Sequence, residues 1–178
     1  SRRISRYGYG NLVLERVAAE AGYSRGALYH LFGDKKGLAL AVVAWAGHNW
    51  QQEVGHLADQ EADPIDALIA LGRAHAVYCR GDEAGVIMTL KVEFGDRDHP
   101  VGRAVEQTVG TLIEPCARLI ASGRLRGSIP PGPSARTLAR AFLGAIEGAV
   151  AQLGGRARDD ELVAERVIRG VLGLDNSR

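Results

Sequence analysis

Apolar residues recur at helical spacing along this chain, and the elements they predict are helices. At about 100° per residue, Leu14, Val17, Ala18 and Ala21 gather on one side of an early helix, with Glu15, Arg16, Ala19 and Glu20 on the other. Gly22 ends that helix by supplying a left-handed conformation without a Cβ clash, and Ser24 caps the next through its hydroxyl. In this second, short helix Ala27, Leu28, Leu31 and Phe32 project to the buried side, leaving Arg25, Gly26, Tyr29 and His30 outward. Gly33-Asp34 then reads as a stop and a fresh N-cap. Lys35 stands in the first turn of a longer helix that continues through Trp45 and Trp50 toward Ala58.

Further along, Pro64 suits the first turn of a helix, where its missing N–H costs little. Ile65 to Arg80 is apolar over most of its circumference, which marks a helix buried among others. A shorter helix from about Asp82 to Phe94 follows. Val101 to Ala121 has its stripe at Val105, Val109, Leu112, Cys116 and Leu119, with Glu114 and Arg118 spaced for a surface ion pair. Pro115 interrupts it and leaves the carbonyl of Thr111 without its usual donor. Such a kink opens room for a small molecule between helices, or is simply a kink in a solid core. Gly123 to Pro133, with Pro130-Pro131-Gly132-Pro133, is a clear break before the last two helices.

Ser134 to Leu153 carries two stripes on one helix. Leu138, Phe142, Ile146, Ala149 and Leu153 are bulky, while Thr137, Ala141, Gly144, Gly148 and Ala151 form a seam of small residues. Each interior glycine costs about 1 kcal/mol relative to alanine, so the seam is best explained by another helix lying very close. In Glu161 to Leu174, Val163, Val167, Val171 and Leu174 lie beside Ala164, Ile168 and Leu172, more apolar width than one core contact needs. These two helices read as a homodimer interface, a four-helix bundle with two helices from each subunit; an intramolecular pair is the alternative. The expected fold is all-α, an N-terminal helix-turn-helix head (1–47) joined to a helical effector-binding and dimerisation body (48–178).

The chemistry of the head follows from its outward residues. A guanidinium, a phenol and an imidazole at Arg25, Tyr29 and His30 are groove or phosphate ligands, and Gly26 lets the backbone approach a base edge. Lys35 at a helix N-terminus adds an ammonium to free N–H groups and the positive end of the helix dipole, a combination that favours phosphate. The plainer reading is a helical hairpin whose surface happens to be polar. Charge separates the two: residues 1–47 hold seven Lys/Arg against three Asp/Glu, and the remainder 15 against 18, within an overall balance of +1. The positive charge sits with the motif, which predicts salt-sensitive binding to a polyanion.

Gly8-Tyr9, Val17-Ala18, Ala21-Gly22, Ser24-Arg25-Gly26, Leu28-Tyr29, Phe32 and Lys35-x-x-Leu38 together make the segment from Gly8 to Leu40 resemble the DNA-binding region of the tetracycline-repressor (TetR) family of bacterial regulators. The resemblance implies that Arg25, Gly26, Tyr29 and Lys35 touch double-stranded DNA, with Ser24 capping the helix that bears them. It also implies a dimer on a pseudo-palindromic operator and a repressor released by a small-molecule effector. Two departures stand out. The family commonly has a threonine or serine pair where this chain has Leu12 and Val13, leaving Asn11 as the alternative phosphate anchor, and it often has histidine where this chain has Leu31. In that family a full helix precedes Ser1 to Tyr7, so the start of the first helix is expected to be missing.

The remaining composition narrows the partners. With 178 residues, 46% of them hydrophobic, the chain can bury a substantial core. Cys79 and Cys116 belong to no C-x-x-C or Cys/His cluster, so neither a disulfide framework nor a metal site is indicated, and no cofactor is implied. No stretch is apolar enough to span a membrane and the N-terminus shows no signal pattern; a cytoplasmic location is expected. His75, Tyr78, Met88, Thr111, Cys116 and Phe142, polar or polarizable tips on apolar helices, are the candidate lining of an effector pocket, and each also suits ordinary core. Their apolar setting favours a hydrophobic effector. Two other classes remain: a dimeric ligand-binding or interaction protein whose DNA motif has lapsed, and a small helical enzyme. Against the enzyme, the sequence has no G-x-S-x-G, no H-E-x-x-H and no glycine-rich phosphate loop, and His48 and His56 lack a third ligand.

Overall fold

The computed structural model describes residues 25–94, 98–153 and 157–174. Among them are seven α-helices: α1 (Arg25–Phe32), α2 (Lys35–Glu53), α3 (Pro64–Tyr78), α4 (Asp82–Phe94), α5 (Pro100–Leu125), α6 (Ala135–Leu153) and α7 (Ala157–Leu172). A 3-10 helix, Gly55–Asp59, follows α2. The fold is all-α, as the periodicity predicts.

Local chemistry sets several of the boundaries. Gly33 takes φ 76° between α1 and α2, a left-handed conformation in which a Cβ is strained. Asp34 then accepts from the Gly37 amide through Oδ1 at 2.7 Å. Asp63 caps α3 by accepting from the amides of Ile65 at 2.8 Å and Asp66 at 3.2 Å, with Pro64 in the first position where no N–H is missed. Ser134 does the same for α6, its Oγ accepting from the Thr137 amide at 3.1 Å. Helix α5 continues through Pro115 without a break in its helical assignment.

The chain divides into two compact units, Ser1–Asn49 with Gly81–Val109, and Trp50–Arg80 with Gly110–Arg178. These differ from a division at residue 47, because Gly81–Val109 joins the N-terminal unit. The reason is a shared apolar core: Leu38, Ala39, Val42 and Val43 of α2 are buried with Val86 and Leu90 of α4 and Val101 and Val105 of α5, and Phe32 packs against this cluster. In the second unit α3 packs on α6 and α7, and α6 on α7. Its fully buried side chains include Trp50, Leu68, Leu71, Ile113, Ile120, Phe142, Ile146 and Ile168.

Two face assignments change. Ala27 and Leu31 of α1 are exposed, Leu31 by 61%. An eight-residue helix anchored at Phe32 buries only a narrow stripe, and the positions four apart at 27 and 31 fall outside it. On α5 Val105 and Cys116 are buried as expected, but past Val109 the other deeply buried apolar positions are Ile113, Ala117 and Ile120, with Leu112 and Leu119 only half-buried. At two of the five expected positions, Leu112 and Leu119, the inward residue is therefore the next one along. Glu114, spaced for Arg118, instead accepts from Arg136 of α6 at 2.8 Å.

Candidate DNA-binding surface and helical body

Ser24 lies outside the described residues. Arg25, Gly26 and Tyr29 stand on α1 and Lys35 opens α2; His30 is exposed on α1 and Lys36 in the first turn of α2. Neither helix has an acidic residue in its first turn, but the Asp34 carboxylate already caps the N-terminal end of α2 by accepting from the Gly37 amide. Phe32 docks the end of α1 on the core of the first unit. The turn that follows is tight: a Cβ added at Gly37 would lie 2.1 Å from the Phe32 carbonyl oxygen. Glycine at 37 and the Asp34 cap thus hold the last turn of α1 against the first turn of α2.

The six residues put forward for an effector pocket separate in the structure. Met88 belongs to the first unit and is exposed. Thr111, in the second unit, is exposed as well. His75, Tyr78, Cys116 and Phe142 are buried in the second unit. Cys116 Sγ faces the Leu112 carbonyl at 3.9 Å, and burial pushes its thiol up to about 12, so it stays neutral and unreactive. Phe142 lies against Gly72: a Cβ added there would be 3.1 Å from the ring and 2.3 Å from Ile168 Cδ1.

His75 is the one buried polar side chain among the described residues. Its ring stands edge-on to Trp50, with centroids 6.1 Å apart, and the indole Nε1 donates to Nδ1 at 3.0 Å. An indole can only donate, so Nδ1 is the acceptor. The other nitrogen, Nε2, stands 3.6 Å from Glu147 Oε1 of α6 and 3.5 Å from Cys79 Sγ. Sequence reasoning singled out His75 but missed both principal partners. Trp50 lies 25 positions away and Glu147 on another helix, and neither has a local pattern that marks it.

The small-residue seam of α6 is on the outside of the chain. Thr137, Ala141, Gly144, Gly148 and Ala151 are all exposed, and a Cβ at Gly144 or Gly148 would meet nothing within 4 Å. On α7, Val163, Val167 and Val171 are half-buried while Ala164, Ile168 and Leu172 are buried. Among the described residues no group of three His, Cys, Asp or Glu is placed to hold a metal ion. No described helix is long and apolar enough to cross a membrane.

Residues 2–42 match the tetR family of bacterial regulatory proteins. The A-factor receptor protein of Streptomyces griseus is 26% identical over 145 residues, covering 78% of this chain and 48% of that relative; this chain thus spans about half of its length. Solved structures share the fold. AibR in complex with isovaleryl coenzyme A and operator DNA superposes with a TM-score of 0.72 at 20% identity, over 98% of this chain and 94% of AibR. PfmR, a TetR family transcriptional regulator from Thermus thermophilus, gives 0.69 at 19%, over 99% and 96%. An all-helical chain whose N-terminal residues match a family of bacterial regulatory proteins is the class the fold and the match define. The likeness to the tetR family thus lies in residues 2–42, and the solved structures share the fold of the chain as a whole.

Proposed function

We propose that this chain is a sequence-specific, ligand-responsive DNA-binding regulator: a homodimer that places two copies of α1 in successive major grooves of a pseudo-palindromic operator and acts as a repressor. The observation that carries the reading is the match of residues 2–42 to the tetR family of bacterial regulatory proteins. Arg25, Gly26, Tyr29, His30 and Lys35, with Ser24 before them, form the DNA surface in this reading. The exposed seam of α6, with Val163, Val167 and Val171 of α7, forms the dimer interface. A small hydrophobic effector bound in the helical body releases the DNA by favouring one arrangement of the dimer over the other. Support for an effector comes from two relatives, one named as a receptor for A-factor and the other solved with isovaleryl coenzyme A and operator DNA.

Selection of genomic DNA fragments on the purified protein tests the reading. The expected result is one enriched pseudo-palindrome, bound with an affinity that falls steeply with salt and by about tenfold or more in Tyr29→Ala or Lys35→Ala. Gly148→Arg, on an open face of the subunit, is expected to yield a folded monomer by analytical ultracentrifugation that no longer holds the operator. Retention without sequence preference overturns the DNA reading. Leu31, apolar and exposed on α1, favours a second reading in which the chain is a dimeric ligand-binding protein with a lapsed DNA motif. Leu31→His separates the two: a gain of specific binding from a chain that otherwise has none supports the lapse.

A further inference from the structure

His75 is held by two partners that want different charge states of its ring. The Trp50 indole donates to Nδ1 at 3.0 Å, which requires a bare nitrogen there and so places the single proton of the neutral ring on Nε2. Glu147 stands at Nε2, 3.6 Å away, and a carboxylate that close favours the imidazolium. The imidazolium carries hydrogens on both nitrogens. A proton on Nδ1 would then face the indole N–H directly, and that hydrogen bond is lost. The ring can accept from Trp50 or carry a charge opposite Glu147, but not both.

We propose that His75 is a proton switch: acidification exchanges the hydrogen bond from Trp50 for an ion pair with Glu147, freeing the last turns of α2 from α3. Among the described residues no other charged group competes for the ring. At the C-cap of α3, Cys79 reaches Nε2 with a thiol sulfur at 3.5 Å. On α7, Glu165 is bonded to Arg73 and Arg169. On the 3-10 helix, His56 and Asp59 are exposed, as is Arg140 on α6. The device joins three elements, because Trp50 belongs to α2, His75 to α3 and Glu147 to α6. It operates within the second unit and stands whether or not the chain binds DNA.

The chain has two tryptophans, so Trp45→Phe leaves Trp50 as the sole indole reporter. In that full-length background, tryptophan emission is followed over roughly pH 5 to 8. The expected result is a single sigmoidal change, absent when His75→Gln is added. Adding Glu147→Gln instead moves the midpoint down by about half a pH unit or more, since it removes the charge that favours the imidazolium. Glu147 is half-buried, so this variant keeps the test decisive even where His75→Gln fails to fold. Nitrogen-15 shifts of the ring at pH 8 are expected to show the proton on Nε2. A flat emission profile, a midpoint unmoved by Glu147→Gln, or a proton on Nδ1 at pH 8 each overturns the proposal.

Discussion

In the first unit Leu38, Ala39, Val42 and Val43 meet Val86, Leu90, Val101 and Val105, and no buried polar side chain is among its described residues. The second unit encloses Trp50 and Phe142 together with the His75 ring. The difference is one of directionality. Aliphatic surfaces attract one another without preferred orientation, so volume and shape govern the first core. The second also contains a buried donor and acceptor that are satisfied only in one arrangement, so its helices are fixed by hydrogen-bond geometry as well as by fit.

Removing volume has the largest expected effect. Phe142→Ala, which removes a fully buried ring lying against Gly72, is expected to lose about 3–5 kcal/mol by urea denaturation. Next comes the substitution that bears on the contrast itself. His75→Leu keeps the core apolar but orphans the Trp50 N–H, a cost of roughly 1–3 kcal/mol, whereas Leu90→Met in the first unit is expected to cost less than about 1.5 kcal/mol. Adding Trp50→Phe to His75→Leu is expected to recover part of the loss; full additivity in that double-mutant cycle would erase the distinction between the cores.

At the rim of the second unit the effects shrink. The hydrogen bond from Arg73 holds the Glu165 carboxyl below its ordinary value of 4.5, with Arg169 adding to it. A depressed folded value means the contribution is complete above the ordinary carboxylate range and is lost as pH falls through the folded value. The stability gap between the native chain and Arg73→Ala, no more than about 1 kcal/mol for so exposed a pair, is therefore expected to be present at neutral pH and to close on acidification. A gap that widens in acid would refute the pairing. Smallest of all is the reactivity of Cys116: mass spectrometry after iodoacetamide treatment at pH 8 is expected to find Cys79 alkylated and Cys116 untouched, because burial keeps that thiol neutral.

Legibility in the sequence tracked the range of the interaction. Pro64 announces the start of α3 because the constraint it sets, a first turn where a missing N–H costs little, is local. The bulky stripe of α6 is visible at 3.6-residue spacing, and Leu138, Phe142 and Ile146 are buried. The short α1 defeated projection, since one well-anchored residue, Phe32, decides which way eight residues face. Glu147 was out of reach for a different reason: what makes it notable is a ring 72 positions earlier, brought near by the packing of α3 on α6.

The junction at Gly33–Gly37 has a consequence for how this chain can vary. Gly33, Asp34 and Lys36 are exposed, and surface positions ordinarily accept most substitutions. Here a left-handed φ at 33, an amide captured by Asp34 and a carbonyl 2.1 Å from the site of any Cβ at 37 leave almost no alternatives. A saturation library across the molecule would record this solvent-facing bend as one of its least forgiving stretches. Sequence drift on either side can change what α1 presents while the angle at which it is carried is passed on unaltered.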